Sequence, residues 1–123
     1  LYQLRDKNGG TDPHSSGTLV SSDGKTRHIP NEEFTITPKK FWTSPHTKAI
    51  YPASWTLTLP EGVLNVTPDF PDQELYNLRS ISGSYWEGSV TIKGELQGKQ
   101  VSGKGYVELV GYEKALKQDL PSP

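Results

Sequence analysis

The stretch that decides the fold is Tyr85-Trp86-Glu87-Gly88-Ser89-Val90-Thr91-Ile92-Lys93-Gly94-Glu95-Leu96-Gln97-Gly98-Lys99-Gln100-Val101-Ser102-Gly103-Lys104-Gly105-Tyr106-Val107-Glu108-Leu109-Val110-Gly111-Tyr112. Two runs that alternate between apolar and polar residues flank Gln97-Gly98, and such a pattern around a glycine-bearing pair predicts a β-hairpin. With Gln97 and Gly98 as the loop, Leu96 pairs with Lys99, Val90 with Gly105 and Trp86 with Leu109. One face then carries Trp86, Gly88, Val90, Ile92 and Gly94 opposite Val101, Gly103, Gly105, Val107 and Leu109. Large side chains oppose glycines on both strands. Interior glycines mark bends and close backbone approaches, so the ribbon reads as the wall of a small barrel or a tight sandwich.

The second face carries Tyr85, Glu87, Ser89 and Thr91 opposite Val110, Glu108, Tyr106 and Lys104. Glu87 stands directly across from Glu108, and like charges in that position destabilise a strand pair. A nearby cation, open solvent or a proton retained by one carboxyl would offset the repulsion. Of the arginines, Arg5 is the first candidate partner, because closure of a barrel would bring its early strand beside the last one. Arg5, Glu87 and Glu108 are therefore expected to form a structural ion-pair network. The two glutamates are also the catalytic candidates, as the one acid pair with a physical rationale for proton transfer.

The rest of the chain reads as short strands and tight links. Leu1 to Asp6 alternates like a strand, and Asp23-Gly24 predicts a hairpin between Thr18-Leu19-Val20 and Thr26-Arg27-His28-Ile29. Phe34 to Thr37 is a further strand. Two prolines and several hydroxyls make Phe41 to Pro52 a loop with aromatic anchors. Ser54 to Leu59 is a clean strand and Val63 to Val66 its partner. Asp72-Gln73-Glu74 reads as part of an acidic connector. Tyr112 to Lys117 predicts a short C-terminal helix, with Glu113 and Lys117 spaced to support it. About eight strands in a chain of 123 residues make an all-β domain, and closure into an antiparallel barrel is the simplest way to remove exposed edges.

Composition excludes several functions. A net charge of −1 leaves no basic patch for nucleic acid. The absence of cysteine removes thiolate chemistry and disulfides. No apolar run is long enough for a membrane-spanning helix, and no signal peptide is present. The sequence opens on Leu1 without an initiating methionine and reads as a domain excised from a longer protein. His14, His28 and His46 lack metal-ligand spacing, and no cofactor motif is found. Ser44 and His46 are too close along an extended loop to form a nucleophile and base. Gly103-Lys104-Gly105 lies in a strand with no helix behind it to cradle a phosphate.

Several segments, in order, carry a family resemblance: Asp12-Pro13 with Ser15-Ser16-Gly17-Thr18-Leu19; Phe41-Trp42-Thr43-Ser44-Pro45 with Tyr51-Pro52 and Trp55; Asp72-Gln73-Glu74-Leu75; Tyr85-Trp86-Glu87-Gly88; and Gly105 to Tyr112. Together they resemble the C-terminal domain of the AttH-type predicted secreted hydrolases. These are grouped with the carotenoid 1,2-hydratases (hydroxyneurosporene synthases) in a lipocalin-like set. The resemblance implies a lipocalin-like β-barrel, the second of two such domains, with the upstream domain as its partner. It implies lipid or isoprenoid ligands, acid-catalysed addition of water to an alkene in the hydratases, and a periplasmic or secreted full-length protein. The residues proposed for that chemistry lie largely in the upstream domain or near the domain junction; in this chain only Tyr2 falls close to them, and Leu4 stands where the hydratases would be expected to carry an acid.

Three roles follow as expectations. The chain is a non-catalytic half of a protein that binds hydrophobic ligands, with Trp42, Tyr51, Trp55, Tyr85, Trp86 and Tyr106 lining the ligand space. Alternatively, it is part of a hydratase, cyclase or hydrolase-like enzyme that uses Glu87 or Glu108, or it is a structural domain with a filled core. Separation from an upstream domain would expose an apolar surface or strand edge, which predicts self-association.

Overall fold

The computed structural model describes residues 1–76 and 83–112. Its eight strands are β1 (Ser16–Val20), β2 (Thr26–Pro30), β3 (Thr35–Thr43), β4 (Ile50–Leu59), β5 (Gly62–Pro68), β6 (Glu74–Leu75), β7 (Tyr85–Leu96) and β8 (Lys99–Val110). A single 3-10 turn spans Asn31–Glu33. β1 and β2 form a hairpin of their own around the Asp23-Gly24 turn. The other strands form one antiparallel sheet, in which β3, β4, β5 and β7 are successive neighbours. β6 continues along the β5 side of β7, and β8 covers its opposite side.

The β7–β8 ribbon has the expected register over its whole length, from Leu96↔Lys99 to Tyr85↔Val110. Gln97 and Gly98 both have positive φ, 51° and 76°. Two such residues make the turn type whose twist matches that of the strands it joins. Val90 faces Gly105, Ile92 faces Gly103, Gly88 faces Val107 and Gly94 faces Val101. The need for glycine is plain at Gly105, where an added Cβ would stand 2.9 Å from Ile92 Cδ1 and 3.1 Å from Val90 Cγ2.

The apolar face of the ribbon turns inward. Trp86 and Val90 are each 1% exposed and join Ala49, Tyr51, Trp55 and Val66 in one buried cluster. Trp55 meets Trp86 edge to face at 6.3 Å, Trp42 stacks on Tyr51 at 6.1 Å, and Tyr112 tilts against Tyr51 at 5.7 Å. Edge-to-face pairs of this kind contribute about 0.5–1.5 kcal/mol beyond the area they bury.

Several expectations are corrected. The barrel is not closed: among the described residues β8 pairs only with β7, and β1–β2 joins no strand of the larger sheet. The early segment that was to close it is held instead by isolated bridges, Tyr2 with Ser16 and Arg5 with Thr11. Leu1 to Asp6 is consequently not a full strand. The stretch Phe41 to Pro52 is not a loop throughout. β3 runs to Thr43 across irregular pairing at Pro38 to Phe41, and β4 starts at Ile50, so Trp42 pairs with Tyr51. Proline is tolerated there because β3 lies at the sheet edge, and β4 gains its second neighbour only from Trp55 onward. The predicted C-terminal helix beyond Tyr112 lies outside the described residues.

Candidate functional site

The six residues expected to line a ligand space divide between the two faces of the sheet. Tyr51, Trp55 and Trp86 are buried, and Trp42 is half-buried beside them. Their rings fill the inner side of the sheet. Trp86 Nε1 donates to the Pro71 carbonyl at 2.7 Å, and the Tyr51 hydroxyl lies 3.5 Å from Ser84 Oγ. Tyr85 and Tyr106 belong to the outer face with Glu87 and Glu108, and Tyr106 is 66% exposed. The inner and outer groups are separated by the sheet itself.

On that outer face Glu87 and Glu108 are direct cross-strand partners, as the register required. Glu87 is half-buried and Glu108 exposed. The Tyr106 phenol is held above its ordinary value, first by partial desolvation and then by the Glu87 charge and a hydrogen bond to Glu87. Tyr85 and Glu108 add to the shift in the same direction. Because most of the ring stands in water, solvent screens these effects.

The Arg5 network does not form. Arg5 Nε donates to Gln3 Oε1 at 3.2 Å, and its backbone bridges Thr11 rather than β8. Among the described residues no cation is paired with Glu87 or Glu108. The arginine network is elsewhere and half-buried: Arg27 Nε donates to Glu61 Oε1 at 2.7 Å and Nη1 donates to Glu33 Oε1 at 3.2 Å. That contact ties β2 to the β4–β5 turn.

Sequence reasoning missed a polar clamp at the other end of the sheet. Ser44 Oγ donates to Glu74 Oε1 at 2.5 Å and accepts the backbone N–H groups of His46 and Thr47 at 3.0 and 3.1 Å. Thr47 Oγ1 donates to Glu74 Oε2 at 2.7 Å. His46 Nε2 lies 2.7 Å from Asp72 Oδ2, and its ring stacks on Tyr76 at 4.3 Å. Asp72-Gln73-Glu74 is therefore more than an acidic connector, since the Asp72 and Glu74 side chains hold the β3–β4 turn against β6. The signal available was the Ser-Pro-His-Thr run, in which a serine hydroxyl accepts the N–H groups two and three residues on. Ser44 is fully buried and committed to Glu74, while the His46 ring faces Asp72. No nucleophile–base pair is assembled there.

Gln73 supplies a second unpredicted contact. Its amide Nε2 donates to the Phe70 and Ser89 carbonyls at 2.9 and 3.1 Å, and its Oε1 accepts the Ser89 N–H at 2.9 Å. The side chain thereby serves as a one-residue strand between β5 and β6. Gly88 makes room for it, because a Cβ there would stand 2.2 Å from Gln73 Cδ.

Nearby on the outer face, an open groove of about 340 Å³ is lined by Asn65, Thr67, Pro68, Asp69, Thr91 and Lys93. Thr91 Oγ1 donates to Asp69 at 2.6 Å and accepts from Lys104 Nζ at 2.8 Å. The Asp69 carboxyl is held below its ordinary value, chiefly by the Thr91 hydrogen bond, next by one from Ser89, with Lys104 adding its charge. Among the described residues no three metal-ligating side chains converge.

Comparison with known proteins places this arrangement. The AttH-like family model matches residues 1–112. The chain belongs to the AttH-like family. It is 32% identical over 88 residues to kievitone hydratase of Fusarium solani subsp. phaseoli, a match covering 65% of this chain and 25% of that protein. The crystal structure of an assigned AttH from Nitrosomonas europaea superimposes with a TM-score of 0.78 at 33% identity, over 89% of this chain and 33% of that one. Kievitone hydratase from Nectria haematococca superimposes with a TM-score of 0.69 at 25% identity, over 88% and 33%. The chain thus spans a third or less of the length of these relatives. The nearly all-β antiparallel architecture of this AttH-like chain agrees with the lipocalin-like expectation, with the barrel left open.

Proposed function

We propose that this AttH-like chain is an accessory lipocalin-like domain of a hydratase-like protein that handles a hydrophobic substrate, and that it is not catalytic alone. One observation carries the reading: the inner face that would hold an apolar ligand is occupied by the chain's own rings, with Tyr51 and Trp86 each 1% exposed. Acid catalysis of alkene hydration needs a proton donor held against the substrate away from bulk water. The acid pair Glu87–Glu108 sits on the opposite face instead, with Glu108 exposed. The similarity to kievitone hydratase in sequence and in structure supports the reaction class, and the relatives' greater length supports a site completed by other sequence.

The test is hydration of kievitone, followed by mass spectrometry, with this chain alone and with a longer protein carrying it. Turnover by the longer protein only is the expected result. Turnover by the 123-residue chain that is lost in Glu87→Gln would overturn the accessory role. Saturable quenching of Trp42, Trp55 and Trp86 fluorescence by the same compound in the chain alone would favour a ligand-binding domain with an inducible cavity.

A further inference from the structure

We propose that the outer edge of β8 pairs antiparallel with β8 of a second copy of this chain, about a twofold axis at Tyr106. The argument begins with the turn. A two-residue hairpin makes Leu96↔Lys99 a hydrogen-bonded pair, and the pattern then alternates along the ribbon. Odd-numbered residues of β8 therefore direct their N–H and C=O groups at β7. Ser102, Lys104, Tyr106, Glu108 and Val110 direct theirs outward, where no described strand receives them. A long unpaired edge of this kind templates another strand.

The side chains select the register. With Tyr106 on the axis, Lys104 stands opposite Glu108 of the second copy, and the converse pair repeats across the axis. On the inner face Gly105 meets Val107 of the second copy and Gly103 meets Leu109, large against small as in the β7–β8 ribbon itself. An axis at Lys104 would oppose that lysine to its own copy, and an axis at Glu108 would do the same for the glutamate. Like charges so placed are destabilising.

The proposed register also answers an imbalance within one chain. Glu108 faces Glu87 with no cation paired to either among the described residues. Lys104 of the second copy supplies the missing positive charge. To reach across, Lys104 exchanges its exposed contacts with Thr91 and Asp69, its side chain being 74% exposed, while Asp69 keeps its Thr91 hydrogen bond. About ten backbone hydrogen bonds would form along the paired edges. This proposal does not depend on the accessory-domain reading.

Charge reversal tests it. Sedimentation of the wild-type chain should show a concentration-dependent dimer. Lys104→Glu and Glu108→Lys should each weaken dimerisation about tenfold or more, with monomer folding checked by circular dichroism. Mixing the two variants restores both cross-chain pairs and should return the dimer as a heterodimer, which no intrachain effect can do. Amide exchange at Lys104, Tyr106 and Glu108 should slow as protein concentration rises, whereas that at Val101, Gly103 and Val107 should not. A wild-type chain monomeric at millimolar concentration, or a mixture that stays monomeric, would overturn the proposal.

Discussion

β7 and β8 are strands of equal length, paired residue for residue, yet they have different fates. β7 alternates buried and half-buried residues through its first half, while β8 has no fully buried side chain. Both carry alternating sequences with glycines interspersed. The difference lies in their neighbours, because β5, Gln73 and β6 cover the far side of β7 while β8 has one partner among the described residues. Pattern alone assigns a residue to a face, and how deep that face lies depends on what is packed beyond the edge.

The contrast can be broken most strongly at the aromatic positions. Trp86→Ala removes a ring that is 1% exposed and should cost about 3–5 kcal/mol in urea unfolding. Tyr106→Ala, on a ring 66% exposed, should change the stability of the monomer by about 0.5 kcal/mol at most. Equal losses at the two sites would contradict the assignment of inner and outer faces.

A smaller effect separates two glycines on the same pair of strands. Gly88→Ala drives a methyl into the Gln73 amide and should cost about 1–3 kcal/mol, whereas Gly103→Ala meets nothing within 4 Å and should be tolerated within about 0.5 kcal/mol. Pairing Gly88→Ala with Gln73→Ala should recover part of the loss, which a thermal melt of the double variant would show.

The smallest effect concerns acid. Asp69 accepts hydrogen bonds from Thr91 of β7 and Lys104 of β8, and its carboxyl lies below the ordinary value of 3.8. A carboxyl lowered on folding contributes stability that is fully present above its unfolded pKa, near 3.9, and is lost as pH falls through the folded value. Asp69→Asn should therefore flatten the fall in melting temperature below about pH 4 and change its slope little at neutral pH. An unchanged acid limb would show that the Asp69 contacts do not outlast solvent competition.

The ribbon could be read from residues because its determinants are local: a glycine-bearing turn and an alternation that repeats along both arms. The Asp23-Gly24 hairpin was legible for the same reason. The aromatics Trp42 and Tyr51 were recognised as anchors, yet the nearby prolines hid the strands that hold them. Proline forbids a donor, and a sheet edge does not always need one. The Ser44–Glu74 and Gln73–Ser89 contacts join residues 30 and 16 positions apart, and nothing in either segment alone names its partner. Arg5 would stand beside Glu108 only in a closed barrel, and in the open sheet it bridges Thr11 instead.

The Gln73 amide has a practical implication for engineering. Pro68 and Glu74 are both in register with β7, and Gln73 occupies the ladder between them. The intervening connection is consequently measured from both ends, like a link of fixed length. Adding one residue there would pull the amide out of the ladder or drag Glu74 away from Ser44. The Ser21–Lys25 turn touches no such seam, and a peptide tag or fluorophore belongs there.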